Sequence, residues 1–159
     1  MTLHDIGGSR PVEAAAITSP AGAVAVRPVD LTAQEDALAI RWNGTGGVTI
    51  DGPNADLSRQ LNNAFALRLD GRVDSLGPGP IAIGIANTRL DASAMLRALP
   101  QGRAVTLKIP LRCFADAGAK LSEAGNALVI DGSAGLGLTL QSARVEAVGE
   151  PLACPPLLP

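Results

Sequence analysis

Apolar residues recur at every second position in one stretch after another of this 159-residue chain. Val24 and Val26 open the first stretch, Leu38, Ile40 and Trp42 form the second, and Val48 and Ile50 the third. Phe65, Leu67, Leu69 and Val73 then alternate with Ala66, Arg68, Asp70 and Arg72. Ile81, Ile83 and Ile85 alternate with Ala82, Gly84 and Ala86, and Val105, Leu107, Ile109 and Leu111 with Thr106, Lys108, Pro110 and Arg112. A pleated strand places residues i, i+2 and i+4 on one face, so each set predicts a strand with one buried face. Shorter sets at 128–131, 136–140 and 143–148 bring the expectation to about nine strands.

The 18 Gly and 12 Pro are spread along the chain as turn punctuation. The run Asn43-Gly44-Thr45-Gly46-Gly47 predicts a hairpin that joins the second and third strands into a β-ribbon. Gly71 marks a bulge, and Pro110 pushes its strand toward a sheet edge, where a missing N–H does no harm. The small face of Ala82, Gly84 and Ala86 implies a cover, either a loop or another domain. Helical signal is confined to a turn at 94–99, capped by Asp91 or Ser93 and stopped by Pro100, with further turns at 114–118 and 57–62. Residues 1–23 show no sustained period and read as a linker, and the proline-rich 149–159 reads as a tail, leaving 24–148 as the domain. The expected fold is all-β, an antiparallel β-sandwich of jelly-roll type with one or two short helices.

Thirteen Lys and Arg against 15 Asp and Glu, with no run of like charge, exclude a nucleic-acid surface. The mean hydropathy is +0.24, but the apolar runs are far shorter than the roughly 20 residues that cross a bilayer, so no membrane partner is expected. One histidine, His4, lies in the N-terminal segment, which removes the usual Ser-His-Asp and Cys-His machinery and histidine-based zinc sites. Gly132, Gly135 and Gly137 precede an apolar strand rather than a helix and form no phosphate loop. Cys113 and Cys154 are too few for a disulfide scaffold; they pair or stay free, and the sequence decides neither. No apolar signal-peptide core follows Met1.

Sugar binding usually rests on exposed Trp or Tyr faces, and here there are one Trp, two Phe and no Tyr. Trp42 shares its strand face with Leu38 and Ile40 and so points inward; Phe65 and Phe114 are also expected in the core. Polar binding could run through Gln34, Glu35, Asp36, Arg41 and Asn43, although a solvated loop and a hairpin turn are the plainer reading of those residues. Asp51, Asn54 and Asp56 place three oxygen side chains in a Gly/Pro loop, either as ligands of a structural calcium or as ordinary turn residues. Glu35 and Asp36 face opposite ways in a strand and make a poor acid and nucleophile pair.

The blocks at 30–44 (Asp-Leu-Thr-Ala-Gln-Glu-Asp-Ala-Leu-Ala-Ile-Arg-Trp-Asn-Gly), 55–60 (Ala-Asp-Leu-Ser-Arg-Gln) and above all 96–119, which contains Pro-Gln-Gly-Arg-Ala-Val-Thr-Leu-Lys-Ile-Pro-Leu-Arg-Cys-Phe, carry a resemblance. In order, over about 24–148, they resemble the C-terminal domain of bacterial exo-β-glucanases and β-glucosidases of glycoside hydrolase family 3. The sequence departs from that pattern at Ala104-Val105 and Arg68-Leu69, where a large aromatic is expected. The resemblance implies a galactose-binding-like β-sandwich with no catalytic residue of its own, attached to catalytic domains that hold the nucleophile and the acid/base. It also implies a periplasmic or secreted protein. The expected role is an accessory module that packs its small-residue face on the catalytic domains and makes weak contacts to β-glucan oligosaccharides through 34–43, with no cofactor other than the calcium considered above. The alternative is an autonomous carbohydrate-binding module with a polar or calcium-assisted groove; a small hydrolase comes last.

Overall fold

The computed structural model describes residues 2–5, 8–11, 16–17, 23–32, 35–50, 64–85, 88–119, 128–150 and 152–158. In chain order they form β1 (Thr2–Asp5), β2 (Gly8–Pro11), β3 (Ala16–Ile17), β4 (Val24–Thr32), β5 (Glu35–Trp42), β6 (Gly46–Ile50), β7 (Phe65–Ser75), β8 (Ala82–Ile85), β9 (Leu90–Asp91), α1 (Ser93–Arg97), β10 (Ala104–Pro110), α2 (Leu111–Asp116), β11 (Leu128–Gly132) and β12 (Gly137–Ala147). The larger sheet runs β10, β7, β12, β1, β2, with β5 also on β12 and β4 on β5; the smaller runs β3, β6, β11, β8, β9. The strands pair antiparallel apart from β1, which runs parallel to β12. The expected antiparallel sandwich with two short helices is therefore the fold.

Alternation decides what fills the space between the sheets. Leu38, Ile40 and Trp42 of β5, Leu67, Leu69 and Val73 of β7, and Leu138 and Leu140 of β12 face Val48, Ile50, Ile83 and Ile130 of the smaller sheet, all buried. Each such side chain contributes roughly 1.5–3 kcal/mol on burial. Pro110 ends β10, which pairs only with β7 among the described residues, so its missing N–H falls on a sheet edge. The bulge expected at Gly71 falls on the facing strand instead: the β7–β12 register slips between Leu140 and Ser142, opposite Gly71 and Asp70, so the extra residue is Gln141 of β12 while Gly71 stays in the ladder. A Cβ on Gly71 would meet the carbonyl oxygen of Thr139.

The Asn43 turn is not the predicted hairpin. β5 pairs with β4 and β12, whereas β6 pairs with β3 and β11 in the opposite sheet, so Asn43–Thr45 carries the chain across the sandwich. Trp42 explains the corner: its Nε1–H donates to the carbonyl of Gly46 at 2.9 Å, its backbone N–H to Leu136, and its carbonyl accepts from Gly135. The last two bonds tie it to a second crossing, 133–136, between β11 and β12. A third, from β7 to β8, lies at the same end, where Ser75 Oγ donates to the carbonyl of Gly135.

Helix boundaries moved by a few residues. α1 starts at Ser93, whose N–H bonds Asp91 Oδ1 at 3.0 Å, while Ser93 Oγ accepts the N–H of Ile81. α2 begins at Leu111, the residue expected to close the strand, because Pro110 stops the ladder and Leu111 is buried as well from the helix. The candidate turn at 57–62 lies outside the described residues. Of the small-residue face, Ala82 and Gly84 are buried by this chain itself: a Cβ on Gly84 would meet Thr88 O and the Arg89 side chain, which Asp131 holds at 2.8 Å. That face is closed to an outside partner at these two positions; Ala86 lies outside the described residues.

Pairing also occurs on either side of 24–148. β1 and β2 extend the larger sheet and β3 the smaller. After 148, Arg112 Nη2 donates to Leu152 O at 2.7 Å, Asp91 N–H to Pro156 O at 2.8 Å, and Leu157 bridges to Leu90. Cys113 of α2 and Cys154 form a disulfide with their Cα atoms 5.5 Å apart, which resolves the alternative left open above.

Candidate functional site

The outer face of the larger sheet carries the densest chemistry. The residues between the buried positions of β7 are Ala66, Arg68, Asp70, Arg72 and Asp74. Register adds Thr106 and Lys108 from β10, and Thr139, Ser142, Arg144 and Glu146 from β12. Lys108, Arg68 and Arg144 stand directly opposite one another on three adjacent strands, an arrangement that like-charge repulsion disfavours. Glu146 compensates for all three: its carboxylate lies 3.3 Å from Lys108 Nζ, 3.3 Å from Arg68 Nη1 and 3.1 Å from Arg144 Nε. It reaches Lys108 across β7 because its opposite residue there is the small, fully buried Ala66.

Asp70 is the second node. It accepts from Thr106 Oγ1 at 2.6 Å, from Ser142 Oγ at 3.0 Å and from Arg68 Nε at 3.0 Å. Asp74 accepts from Arg72 Nε at 2.5 Å and Thr139 Oγ1 at 2.6 Å. Burial works against ionising Asp70, but the hydrogen bonds from Thr106, Arg68 and Ser142 and the Arg68 charge outweigh it and hold its carboxyl below the ordinary carboxylate range. For Glu146, burial is likewise overcome by the Lys108 and Arg68 hydrogen bonds and the Arg68 and Arg144 charges, with the same result. Hydrogen bonding to Asp70 raises Arg68 in turn, against its own burial. Carboxylates kept ionised in this way donate no proton at neutral pH, so neither serves as the acid of a glycosidase.

This has a pH consequence. A carboxyl with a lowered folded pKa adds stability above its unfolded value, near 4, and loses that contribution as pH falls through the folded value. Urea unfolding is expected to give a flat midpoint from pH 7 to about 5 and a decline below about 4, with Asp70→Asn reducing that decline. An identical pH profile for the variant would mean that Asp70 is not a node of the network.

The sequence-predicted binding residues separate. Arg41 is exposed and belongs to this outer face: Gly137, opposite it on β12, leaves a slot in which Arg41 Nη1 lies 3.3 Å from where a Cβ would sit, beside Ser75 and Asp74. Asn43 is exposed in the cross-sheet turn, its N–H bonded to Ala23 O. Glu35 and Asp36 start β5, five or more residues from Arg41, roughly 17 Å along the strand. Gln34, and the calcium candidates Asp51, Asn54 and Asp56, lie outside the described residues. Among the described residues, no group of three or more His, Cys, Asp and Glu is placed to hold a metal ion, and no helix is long and apolar enough to cross a membrane.

Trp42 and Phe114 are buried and Phe65 is partly buried against the core, so no open indole or phenyl plate lies on the polar face. A cavity of about 30 Å³ lies between the sheets, lined chiefly by Leu69, Val73, Leu107, Leu138, Ile83 and Ile130, and offers no polar group to orient a sugar. The outer network was readable only in part. Arg and Asp alternating along 66–74 mark a solvated face, but its partners sit on strands about 35 and 75 residues away, and only register joins them.

The family model Exop_C, described as galactose-binding domain-like, matches residues 1–145. Among solved structures, the chain is similar to the extra C-terminal domain (X) of exo-1,3/1,4-β-glucanase (ExoP) from a Pseudoalteromonas species, with TM-score 0.64 and 20% identity over 84% of this chain and 76% of that one. It is also similar to the exo-1,3/1,4-β-glucanase ExoP structure from the same organism, with TM-score 0.69 and 18% identity over 97% of this chain but 20% of that one. A family 30 carbohydrate-binding module of a Clostridium thermocellum cellulosomal cellulase shares the fold, with TM-score 0.59 and 13% identity over 84% of this chain and 87% of the module. No curated protein matches the sequence significantly.

Proposed function

Since the chain belongs to the Exop_C family of galactose-binding domain-like sandwiches, we propose that it is the noncatalytic accessory domain of a glycoside hydrolase of family 3, of exo-glucanase or β-glucosidase type. It packs on the catalytic domains of that enzyme and adds weak glycan contacts. The observation that carries this reading is the outer face of the larger sheet, whose described carboxylates, Asp70, Asp74 and Glu146, are each committed to neighbouring cations or hydroxyls and whose surroundings lack aromatic plates. Such a face neither cuts a glycosidic bond nor grips a neutral pyranose by stacking. Of the candidate glycan contacts whose side chains are described, Arg41 lies on it. Docking on the catalytic unit falls to the remaining exposed surface, where Leu157 and Leu158 are the large apolar side chains left in solvent among the described residues.

The Cys113–Cys154 disulfide supports a periplasmic or secreted location for the domain, since such a bond persists in oxidising compartments. The test is to compare the parent enzyme with and without this domain. Loss of thermal stability, or of activity on polymer relative to oligosaccharide, is expected; no change in either would defeat the proposal. The shared fold of the family 30 module favours a second reading, an autonomous carbohydrate-binding module with a polar groove. Heat released on titrating the chain with laminari- or cello-oligosaccharides at millimolar concentration would favour it instead.

A further inference from the structure

The outer face of the larger sheet is unbalanced in charge. Among the described side chains, Arg27, Arg41, Arg68, Arg72, Lys108 and Arg144 stand there against Asp70, Asp74 and Glu146, a surplus of three positive charges in a chain whose net charge is −2. The rest of the chain therefore carries −5, so the surplus belongs to this set of side chains.

The way the arginines are held matters more than their number. Arg72 is bound to Asp74 and Arg144 to Glu146 through Nε alone, which fixes each guanidinium while leaving both of its Nη groups unengaged among the described residues. Arg41 makes no hydrogen bond or ion pair among the described residues and rests in the slot that Gly137 opens. The three forks lie along one direction of the sheet: Arg144 opposite Arg68, Arg72 four residues further along β7, and Arg41 level with Ser75, a row roughly 20 Å long. Paired N–H donors in a fixed plane match a carboxylate, which they hold in two parallel hydrogen bonds. The carboxylates on the face are taken up as anchors, so the face offers donors and few free acceptors.

We propose that this row binds an acidic polysaccharide carrying uronate carboxylates, seated across β7, β12 and β5 with successive carboxylates on Arg144, Arg72 and Arg41. The inference deepens the accessory-domain reading and rests on it: the domain would hold the enzyme on an acidic matrix polymer in which its neutral substrate is embedded. The row takes the place of the aromatic plates that the face lacks.

Affinity electrophoresis of the 159-residue chain in gels containing polygalacturonate, a sulfated galactan, laminarin or no polymer tests it, with duplex DNA as a further polyanion. Retardation by polygalacturonate is expected, weakened at about 0.5 M salt. Arg41→Gln and Arg72→Gln should each weaken it roughly tenfold, and Arg41→Lys by less than Arg41→Gln but measurably, because it keeps the charge and loses the fork. Arg41→Gln breaks no hydrogen bond or ion pair among the described residues, and unchanged emission from Trp42 confirms the fold of each variant. The proposal is overturned by no retardation by polygalacturonate at low salt, by equal retardation by DNA or the sulfated galactan, or by wild-type binding by both glutamine variants. Salt-independent retardation by laminarin would also overturn it, in favour of a neutral polar groove. If the variants instead weaken association with the catalytic domains while polygalacturonate is ignored, the row faces an acidic protein surface and the proposal fails, though the accessory role stands. Failure of the accessory role itself is read separately, from the parent enzyme lacking the domain.

Discussion

Replacing Trp42 with alanine is expected to lower stability by about 3–5 kcal/mol, in the range for truncating a large buried aromatic. For a domain of this size that corresponds to a fall in Tm of roughly 6–20 °C. The indole is 2% exposed and fills the corner at which the chain twice crosses between sheets. It lies against Gly132, where an added Cβ would come within 3.1 Å of Nε1. Trp42→Phe should cost less, since it keeps most of the ring and loses the bond from Nε1 to Gly46. Thermal and urea unfolding measure both. Because it is the single tryptophan of the chain, its emission gives an independent check: a blue-shifted band, resistant to iodide and unmoved by added glycan. A cost below about 1 kcal/mol for the alanine variant, or a band that shifts with oligosaccharide, would place the indole in a groove instead of the core.

Removing the disulfide is the second large perturbation. Cys113 and Cys154 are 41 residues apart, and closing a loop of that length restricts the unfolded chain by about 4 kcal/mol in the chain-entropy account. Cys154→Ala is the cleaner variant, because Cys154 is exposed and its replacement leaves no hole, whereas Cys113 is buried in α2. Calorimetry should show a fall in Tm of roughly 8–16 °C, matched by wild type in excess dithiol. Hydrogen exchange should show where the loss begins. The amide of Asp91 bonds Pro156 O on the segment that the disulfide fastens, so it should exchange much faster, while core amides such as Ile130 follow only the global change. Equal protection of Asp91 in both proteins would show that the segment is held without the bond.

Much of the fold is legible in the chain because period 2 is a local property. The inward positions of β5, β6, β7, β8 and β10 and the burial of Trp42 follow from the spacing of apolar residues, and Pro110 by itself marks an edge. The two predicted strands at 136–140 and 143–148 proved to be one, β12, because the Gln141-Ser142 break that reads as a turn is absorbed as a bulge. The N-terminal strands β1 to β3 went unread because they carry no alternation.

The candidate site was less legible. Arg41 was found, but Lys108, Arg68, Arg144 and Glu146 belong together only through cross-strand register. The sequence by itself determined which side of each strand is wet, since that depends on residues two apart. Tertiary structure alone decided that the Asn43 turn crosses between sheets, that Cys113 meets Cys154, and that Lys108, Arg68, Arg72 and Arg144 share Asp70, Asp74 and Glu146 on one face. Those outcomes depend on which strands become neighbours, a choice made by the packing of the whole core and written in no single stretch of the chain.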